Sequence, residues 1–376
     1  MTTSPQTPSG KNERLELISR PDGEVPVLQA EHLTTDLFTA RGTIRAVEEV
    51  AITVRAGETL GIVGESGSGK SILLRSVMGL LRPGAARVSG SVKLSGEELV
   101  GMSRRQLRRR WGSSVAIIFQ DPMTSLNPVM RIGRQIVEGI APRGTDGEGI
   151  DRSARALELL RAVGIPEPER RLRQFPHQLS GGMRQRIAIA IALAGGPSLM
   201  LADEPTTALD VTVQAQILDL LAALQKQLRM ATVLVSHDLG VMAARADTIV
   251  VMYAGRVVEQ APTSGVFWAT RSPYTEALIR SIPRTDQPSH TRLYSIGGRP
   301  PDLADPPAGC RFAPRCGGAQ GKCREAEPPL IATENDPNHL YRCWFPLQPR
   351  SAPNDVQTAV PAPGAPAGAD DKRIGS

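Results

Sequence analysis

Short apolar runs and helical patterns alternate through the middle of the chain. Uninterrupted apolar runs predict buried strands at 59–63, 115–119, 199–202, 231–236 and 248–253. A helical pattern over about 211–228 stands between two of them. Strands inside a parallel sheet are apolar on both faces, and helices connect them. The pattern therefore predicts an α/β fold with a mostly parallel core.

The remaining apolar positions predict elements around that core. Alternating apolar residues between 27 and 63, and a glycine-punctuated stretch over 88–100, predict further strands. The segment 120–195 is mainly helical and interrupts the alternation, so we expect an inserted helical subdomain. Within it, IAIAIALA at 187–194 is apolar on all sides and predicts a buried helix, which Ser180 can cap.

Composition changes at both ends of the chain. Residues 1–26 are polar and contain several prolines, serines and glycines, which predicts a flexible leader. Residues 27–283 carry the predicted α/β unit, and no internal repeat suggests a second copy of it. Residues 284–347 are rich in proline and glycine and hold all the cysteines, whereas 348–376 are of low complexity and predicted to be disordered.

A glycine-rich stretch, GESGSGKS at 64–71, follows the first predicted buried strand and fits the pattern G-x-x-x-x-G-K-[ST]. Its glycines allow a tight turn whose backbone N–H groups approach phosphate oxygens. The helix that follows directs its positive end at the same anions. We expect Lys70 to contact the β- and γ-phosphates and Ser71 to bind Mg²⁺. The predicted nucleotide-binding residues are Gly64, Glu65, Ser66, Gly67, Ser68, Gly69, Lys70, Ser71 and Ile72.

Polar residues at the ends of other predicted strands complete a catalytic set. Asp203 and Glu204 end the run LMLADE; we expect Asp203 to hold Mg²⁺ and Glu204 to polarise the attacking water. Gln120 is expected to contact Mg²⁺ and that water, and His237 to contact the γ-phosphate. Magnesium ligands are thus predicted at Ser71, Gln120 and Asp203. An ordinary loop glutamine and a structural histidine remain the alternatives for Gln120 and His237.

The stretch LSGGMRQR at 179–186 has no phosphate chemistry of its own. Ser180, Gly181 and Gly182 begin a helix, and such an end attracts an anion. If the chain's own ATP lies elsewhere, the phosphate must come from the ATP of another subunit. We therefore expect two copies to close around ATP, with Asp210 near the same interface.

Taken in order, these motifs resemble those of the ATP-binding subunits of ABC transporters, over about residues 27–283. Finer matches are similar to the dipeptide/oligopeptide permease ATPases: IFQDPMTSLNP at 118–128, FPHQLSGGMRQR at 175–186, ADEPTTALDVTVQAQI at 202–217, VMYAGRVVE at 251–259 and SPYTEALIRSIP at 272–283. The resemblance implies an ABC-type P-loop NTPase with a RecA-like parallel core, an antiparallel β subdomain, an inserted α-helical subdomain and a small Cys-rich C-terminal extension.

The same resemblance implies an activity and its partners. The expected activity is ATP hydrolysis that energises import of dipeptides or oligopeptides. The expected partners are two transmembrane permeases, a second ATP-binding subunit that forms a heterodimer, and an extracytoplasmic solute-binding protein. Two alternatives remain: the same role for nickel or another small solute, and a soluble ABC ATPase acting in DNA repair or on ribosomes.

Composition bears on location and on nucleic acid binding. No apolar run approaches the length of a membrane span, and the N-terminus lacks the apolar core of a signal peptide, so we expect a cytoplasmic protein that could serve a membrane only through partners. The permease resemblance implies a peripheral protein on the cytoplasmic face of the bacterial inner membrane. The net charge is +6, and the basic residues concentrate at 104–110. Aromatic residues make up only 3% of the chain, which favours a solvated helix face over a nucleic acid site.

The position expected to stack on adenine departs from the family. Most ABC ATPases place an aromatic residue upstream of the phosphate loop, whereas this chain has Arg41 to Arg45 there, with Phe38 further away. We expect an arginine or Ile44 to cover the base instead.

The chain has four cysteines, at Cys310, Cys316, Cys323 and Cys343. Disulfides are disfavoured in a cytosolic protein. The spacing lacks the close pairs typical of zinc, and an iron–sulfur cluster tolerates varied spacing, so spacing alone leaves both open. The permease resemblance implies a [4Fe-4S] cluster held by all four thiolates. His339 lies nearby in the sequence, and we expect it to be an exposed loop residue.

Overall fold

The structure is a computed structural model that describes residues 25–121, 125–140, 149, 151–207, 209–282 and 294–349. Nearly all of the predicted leader and disordered tail lies outside the described residues. Across the described residues, none of the helices combines the length and the apolarity that crossing a bilayer requires.

A mixed sheet forms the centre of the molecule, in the order β11–β12–β10–β9–β3–β8–β7–β6. From β6 to β9 neighbouring strands are parallel, and from β9 to β11 they are antiparallel. The parallel core predicted from the apolar runs is confirmed. The strands of the whole mixed sheet are β3 (Thr59–Val63), β6 (Val115–Ile118), β7 (Leu199–Asp203), β8 (Ala231–Ser236), β9 (Thr248–Tyr253), β10 (Arg256–Pro262), β11 (Ile331–Ala332) and β12 (Leu340–Tyr341).

An antiparallel sheet packs against this core, in the order β2–β1–β4–β5. Its strands are β1 (Leu28–Thr39), β2 (Gly42–Val54), β4 (Ala86–Leu94) and β5 (Glu97–Glu98). Apolar side chains of both sheets share one core cluster, to which Leu28, Ile52, Leu60 and Val233 belong. The shared cluster fixes the antiparallel sheet against the central sheet.

Helices cover the central sheet and form the insert between β6 and β7. The helices are α1 (Lys70–Val77), α2 (Arg104–Arg108), α3 (Ile132–Gly139), α4 (Arg152–Ala162), α5 (Pro168–Arg171), α6 (Gly181–Leu193), α7 (Val211–Leu228), α8 (Leu239–Ala243), α9 (Thr263–Trp268), α10 (Pro273–Arg280) and α11 (Gly321–Glu325). Helices α3 to α6 follow β6, and α3, α4 and α6 share a second apolar cluster, in which Ile136, Leu160 and Ile187 are fully buried. The predicted helical insert is therefore present, and α6 is its buried helix.

The C-terminal extension, described from residue 294 to 349, joins the central sheet. Strand β12 pairs with β10 through Glu259 opposite Tyr341 and Gln260 opposite Leu340. Phe312 lies against Tyr253 and Tyr274, with ring centroids 5.3 and 5.2 Å away. Arg311 donates to the buried carboxylate of Glu48 on β2. The extension thus shares a sheet and an apolar cluster with the α/β unit.

Candidate nucleotide site

The phosphate loop lies between β3 and α1, at the carboxyl end of the parallel strands. Gly69, the last residue before the helix, has φ +104°, and a Cβ there would clash with the carbonyl oxygen of Ala46. Only glycine fits this position without strain. Helix α1 begins with no side-chain cap. Its first-turn N–H groups are therefore available to phosphate oxygens.

Lys70 is buried at the base of this loop, with 5% of its surface exposed. Its Nζ atom donates to the carbonyl oxygens of Gly64, at 2.7 Å, and Glu65, at 2.9 Å. Burial lowers the pKa of this ammonium, and the carboxylates of Glu204, Asp203 and Glu65 oppose that effect. The loop's own carbonyls thus hold the lysine on the loop.

Ser71 and Asp203 are brought together, as the predicted magnesium site requires. The Ser71 hydroxyl donates to Asp203 Oδ1 at 2.9 Å. Burial raises the pKa of Asp203, the bond from Ser71 lowers it, and the neighbouring carboxylate of Glu204 raises it further. A buried carboxylate and a hydroxyl in contact are hard oxygen ligands, the type that Mg²⁺ prefers. The residues present therefore fit a magnesium ion.

Glu204 stands next to that pair, in the left-handed backbone region at φ +45°. Its Oε2 atom accepts a hydrogen bond from Thr207 Oγ1 at 3.0 Å and one from Gln120 Nε2 at 3.3 Å, and it lies 3.1 Å from His237 Nδ1. Strained backbone conformations of this kind concentrate at functional sites. The structure thus gathers Gln120, Thr207 and His237 around one carboxylate oxygen of Glu204.

Two details of this cluster add to the sequence prediction. The Gln120 amide contacts Glu204, the residue expected to polarise the attacking water, and its predicted contact with Mg²⁺ stays a prediction. Thr207 was not among the predicted residues. A threonine three residues after an acid is too common in sequences to be recognised without the turn that folds it back.

The LSGGM stretch lies at the start of α6, as predicted. The Ser180 side chain accepts from the N–H of Met183, at 3.3 Å, and so caps the helix. A Cβ on Gly182 would clash with Val213 of α7. Asp210 caps α7 by accepting from the N–H of Val213, at 3.0 Å. The two helix starts therefore pack closely, and Ser180, Gly181 and Asp210 lie near the same contact.

Comparison with known proteins identifies the chain. The family model described as "ABC transporter" matches residues 47–207, and the one described as "Oligopeptide/dipeptide transporter, C-terminal region" matches 258–323. The probable peptide ABC transporter ATP-binding protein y4tR of Sinorhizobium fredii is 46% identical, over 85% of this chain and 94% of its own length. The dipeptide transport ATP-binding protein DppD of Lactococcus lactis is 43% identical, over 88% and 95%.

The chain belongs to the ABC transporter ATP-binding subunits of the dipeptide/oligopeptide permease family. It is therefore an ABC-type ATPase.

Solved structures agree with the fold of this ABC ATPase. The ATP-binding cassette MJ0796, in a dimeric post-hydrolysis state bound to ADP and Pi, is 28% identical with a TM-score of 0.55, and covers 63% of this chain and 98% of its own. The cbiO1 protein of Clostridium perfringens, part of the ABC transporter complex cbiONQ, has the same identity and TM-score, and covers 65% and 91%. The predicted ABC-type fold is confirmed.

The region that precedes the phosphate loop is occupied by ion pairs. Arg41 donates to Asp302 of the extension at 2.8 Å, and Arg45 donates to Asp36 at 3.0 Å. Phe38 is 46% exposed. The expectation that an arginine or Ile44 covers adenine stays a prediction.

The cysteine segment of the ABC ATPase encloses a cavity of about 180 Å³. All four thiols line it. Burial raises the pKa of Cys310 and Cys316, and it raises that of Cys343 to about 11, with the other three thiols adding to the effect. Among the described residues, however, no three His, Cys, Asp or Glu side chains form a ready-made site for a metal ion. The predicted zinc or iron–sulfur centre is therefore not supported by a preformed ligand set.

The burial of His339 differs from the sequence prediction. It is 3% exposed, and its Nε2 atom lies 2.8 Å from Oε1 of the fully buried Glu259. The prediction of an exposed loop histidine is wrong. It failed because Glu259, which also accepts the N–H groups of Arg271 and Ser272, needs a partner that the sequence does not reveal.

Proposed function

We propose that this ABC ATPase hydrolyses ATP to drive import of dipeptides or oligopeptides through membrane permeases. The observation that carries the proposal is the contact of Ser71 with Asp203 beside Glu204, in a chain whose relatives are named as peptide transport proteins. Those relatives match over most of their own length.

In this proposal the phosphate loop binds the triphosphate. The N–H groups of the loop and of the first turn of α1 donate to phosphate oxygens, and Lys70 neutralises their charge. Ser71 and Asp203 would hold Mg²⁺, which when bound would supply charge neutralisation at the phosphates. Glu204 accepts a hydrogen bond from the attacking water and orients it, while His237 and Gln120 fix the carboxylate.

A second ATP-binding subunit completes each site. Ser180, Gly181 and Gly182 present the anion-receptive start of α6 to the nucleotide of that partner, and Asp210 lies beside them. ATP binding closes the pair, and hydrolysis reopens it. Two permeases receive this motion at the cytoplasmic face of the membrane, and a solute-binding protein delivers the peptide from the other side.

The test of hydrolysis is Glu204→Gln in the complex with the permeases. The variant should retain ATP binding and lose about a hundredfold or more of its turnover, since one positioned base contributes on that scale. Glu49→Gln, a change at an exposed acid of β2, is the control and should turn over ATP normally. Normal turnover by Glu204→Gln contradicts the assignment.

The test of cargo uses vesicles that hold the whole transporter. Peptide supplied with the solute-binding protein should stimulate ATP hydrolysis and accumulate inside. Stimulation by nickel and not by peptide would transfer the proposal to the alternative cargo. ATPase activity that depends on DNA and needs no permease would point to the non-transport role.

We infer that the four cysteines hold a [4Fe-4S] cluster. All four thiols line one cavity, and a [4Fe-4S] cluster takes four thiolate ligands at varied spacing along the chain. Arg256, Arg311, Arg315 and Arg342 also line the cavity, with Glu327 as the acid among them.

Iron and sulfide analysis of anaerobically purified protein tests this assignment. The wild-type protein should contain about four of each per chain, with visible absorbance that Cys323→Ser loses. Met102→Leu, outside the extension, serves as the control and should keep the absorbance. One zinc and no iron would contradict the cluster.

A further inference from the structure

Arg315 of the extension reaches the phosphate loop. It immediately precedes Cys316 and lines the thiol cavity. Its guanidinium group makes a two-bond contact with the carboxylate of Glu65, the second residue of the loop. Nη1 donates to Oε2 at 2.6 Å, and Nη2 donates to Oε1 at 2.8 Å. The two residues stand 250 positions apart in sequence.

The guanidinium is held on every side. Nε donates to the carbonyl oxygen of Gly297 at 2.8 Å, Nη2 also donates to that of Ile296 at 3.2 Å, and Nη1 to the Tyr253 hydroxyl at 3.2 Å. The side chain is 4% exposed. Bonding to Glu65 raises the pKa of Arg315. These hydrogen bonds fix the conformation of the buried Arg315 side chain, so its ion pair with Glu65 is rigid.

The backbone of Glu65 is tied to the centre of the site. Its N–H donates to the Tyr274 hydroxyl at 2.9 Å. Its carbonyl oxygen accepts from Lys70 Nζ at 2.9 Å and from the N–H of Ser68 at 3.2 Å. Any displacement of Glu65 therefore moves the group that holds the phosphate-binding lysine.

We propose that Arg315 is a positioning residue for ATP binding. It acts through Glu65: the ion pair fixes the first turn of the phosphate loop, and the loop in turn fixes Lys70. A loop held in its binding conformation loses less conformational entropy when ATP arrives, so affinity rises. The C-terminal extension is thereby part of the nucleotide site. This inference rests on the ATP site of the proposed function.

The experiment measures the dissociation constant of a fluorescent ATP analogue and the steady-state kinetics of the full chain. Arg315→Met keeps the apolar stem and removes the charge. It should weaken nucleotide binding and raise KM about tenfold, with kcat at saturating ATP nearly unchanged, because the lost interaction serves binding in both ground and transition state. Arg315→Lys, which keeps the charge, should recover part of the affinity. Glu65→Gln should weaken binding, and the double variant should be little worse than either single one.

His339→Asn is the matched control. His339 also joins the extension to the α/β unit through a buried contact, with Glu259, but that contact lies on β10. This variant should lower the thermal stability and leave nucleotide affinity unchanged. Equal weakening by His339→Asn would show that the extension only stabilises the fold, and would overturn the proposal.

Two further results would overturn it. One is unaltered affinity in Glu65→Gln, which decides the matter even where Arg315→Met does not fold. The other is full additivity of the two single variants, which means that the side chains act independently. Failure of the wild-type protein to bind the analogue at all is a separate outcome, since it removes the proposed function together with this inference.

Discussion

The Nδ1 atom of His237 lies 3.1 Å from the Oε2 atom of Glu204. Thr207 and Gln120 donate to the same oxygen. Three neighbours on one oxygen fix the orientation of the carboxylate, although the His237 side chain itself is 66% exposed. We expect the other oxygen, Oε1, to accept the hydrogen bond of the attacking water.

Thr207→Val tests whether this orientation matters. Loss of a hydrogen bond to a charged group should lower kcat by roughly tenfold or more and leave the KM for ATP nearly unchanged. Thr333→Val, which removes a hydroxyl from a turn of the extension, is the control and should leave kcat as it is. A wild-type kcat in Thr207→Val would mean that His237 and Gln120 are enough to orient the Glu204 carboxylate.

Asp203→Asn should separate stability from function. Burial raises the pKa of Asp203, so the fold disfavours its charged form. Without nucleotide or Mg²⁺, the variant should melt a few degrees higher than the wild-type protein at neutral pH, while Mg²⁺-dependent hydrolysis is lost.

The difference in Tm between Asp203→Asn and the wild-type protein should depend on pH, because only the wild-type side chain ionises. The contribution of Asp203 to stability is greatest at acidic pH, where it is neutral in both states, and declines as the pH rises through its raised folded pKa. The gap in Tm between the two proteins should therefore be small below its ordinary pKa of 3.8 and widen towards neutral pH. A gap that narrows with rising pH would contradict the buried-charge explanation.

Gly69→Ala and Gly67→Ala form a matched pair within the phosphate loop. Both glycines have positive φ, at +104° and +79°, but only at Gly69 does an added Cβ meet another part of the chain. Urea unfolding should show a loss of about 3 kcal/mol for Gly69→Ala and about 1 kcal/mol for Gly67→Ala. An equal loss of unfolding free energy in the two variants would mean that the positive φ, and not the clash of the added Cβ, causes the whole effect.

His339→Asn and His32→Asn compare two histidine–glutamate contacts of the same 2.8 Å length. The contact of His339 with Glu259 is buried, and its loss should lower the free energy of unfolding by about 3 kcal/mol. The contact of His32 with Glu49 is mostly exposed, and its loss should leave the free energy of unfolding unchanged within error. Denaturant titration measures both, and a neutral His339 variant would show that Glu259 finds another partner.

The sequence predicts β3, β8 and β9 to the residue, because each is an uninterrupted apolar run between polar or turn-forming neighbours. Strand β10 was not predicted, since Glu259 and Gln260 interrupt its apolar pattern. Glu259 is buried there because His339 and the start of α10 supply donors, and those partners lie far along the chain. A single sequence carries no signal for such pairings.

Some residues of the candidate site could be predicted from the sequence, and others could not. Lys70, Ser71, Asp203 and Glu204 follow from motifs whose spacing is dictated by phosphate and metal chemistry. Arg315 does not, because an arginine beside a cysteine has many uses and its carboxylate partner belongs to a distant element. Residues within a motif can thus be predicted from the sequence, whereas contacts between the extension and the phosphate loop can be identified only from the folded structure.

The pairing of β12 with β10 has a consequence for synthesis of the protein. Until residues near 340 leave the translation machinery, the outer edge of β10 has no neighbour at Glu259 and Gln260. Open strand edges of this kind recruit other chains and begin aggregation. A chain that ends before Leu340 therefore leaves the edge of β10 exposed at these residues. Premature truncation should yield aggregated protein rather than a shorter active enzyme.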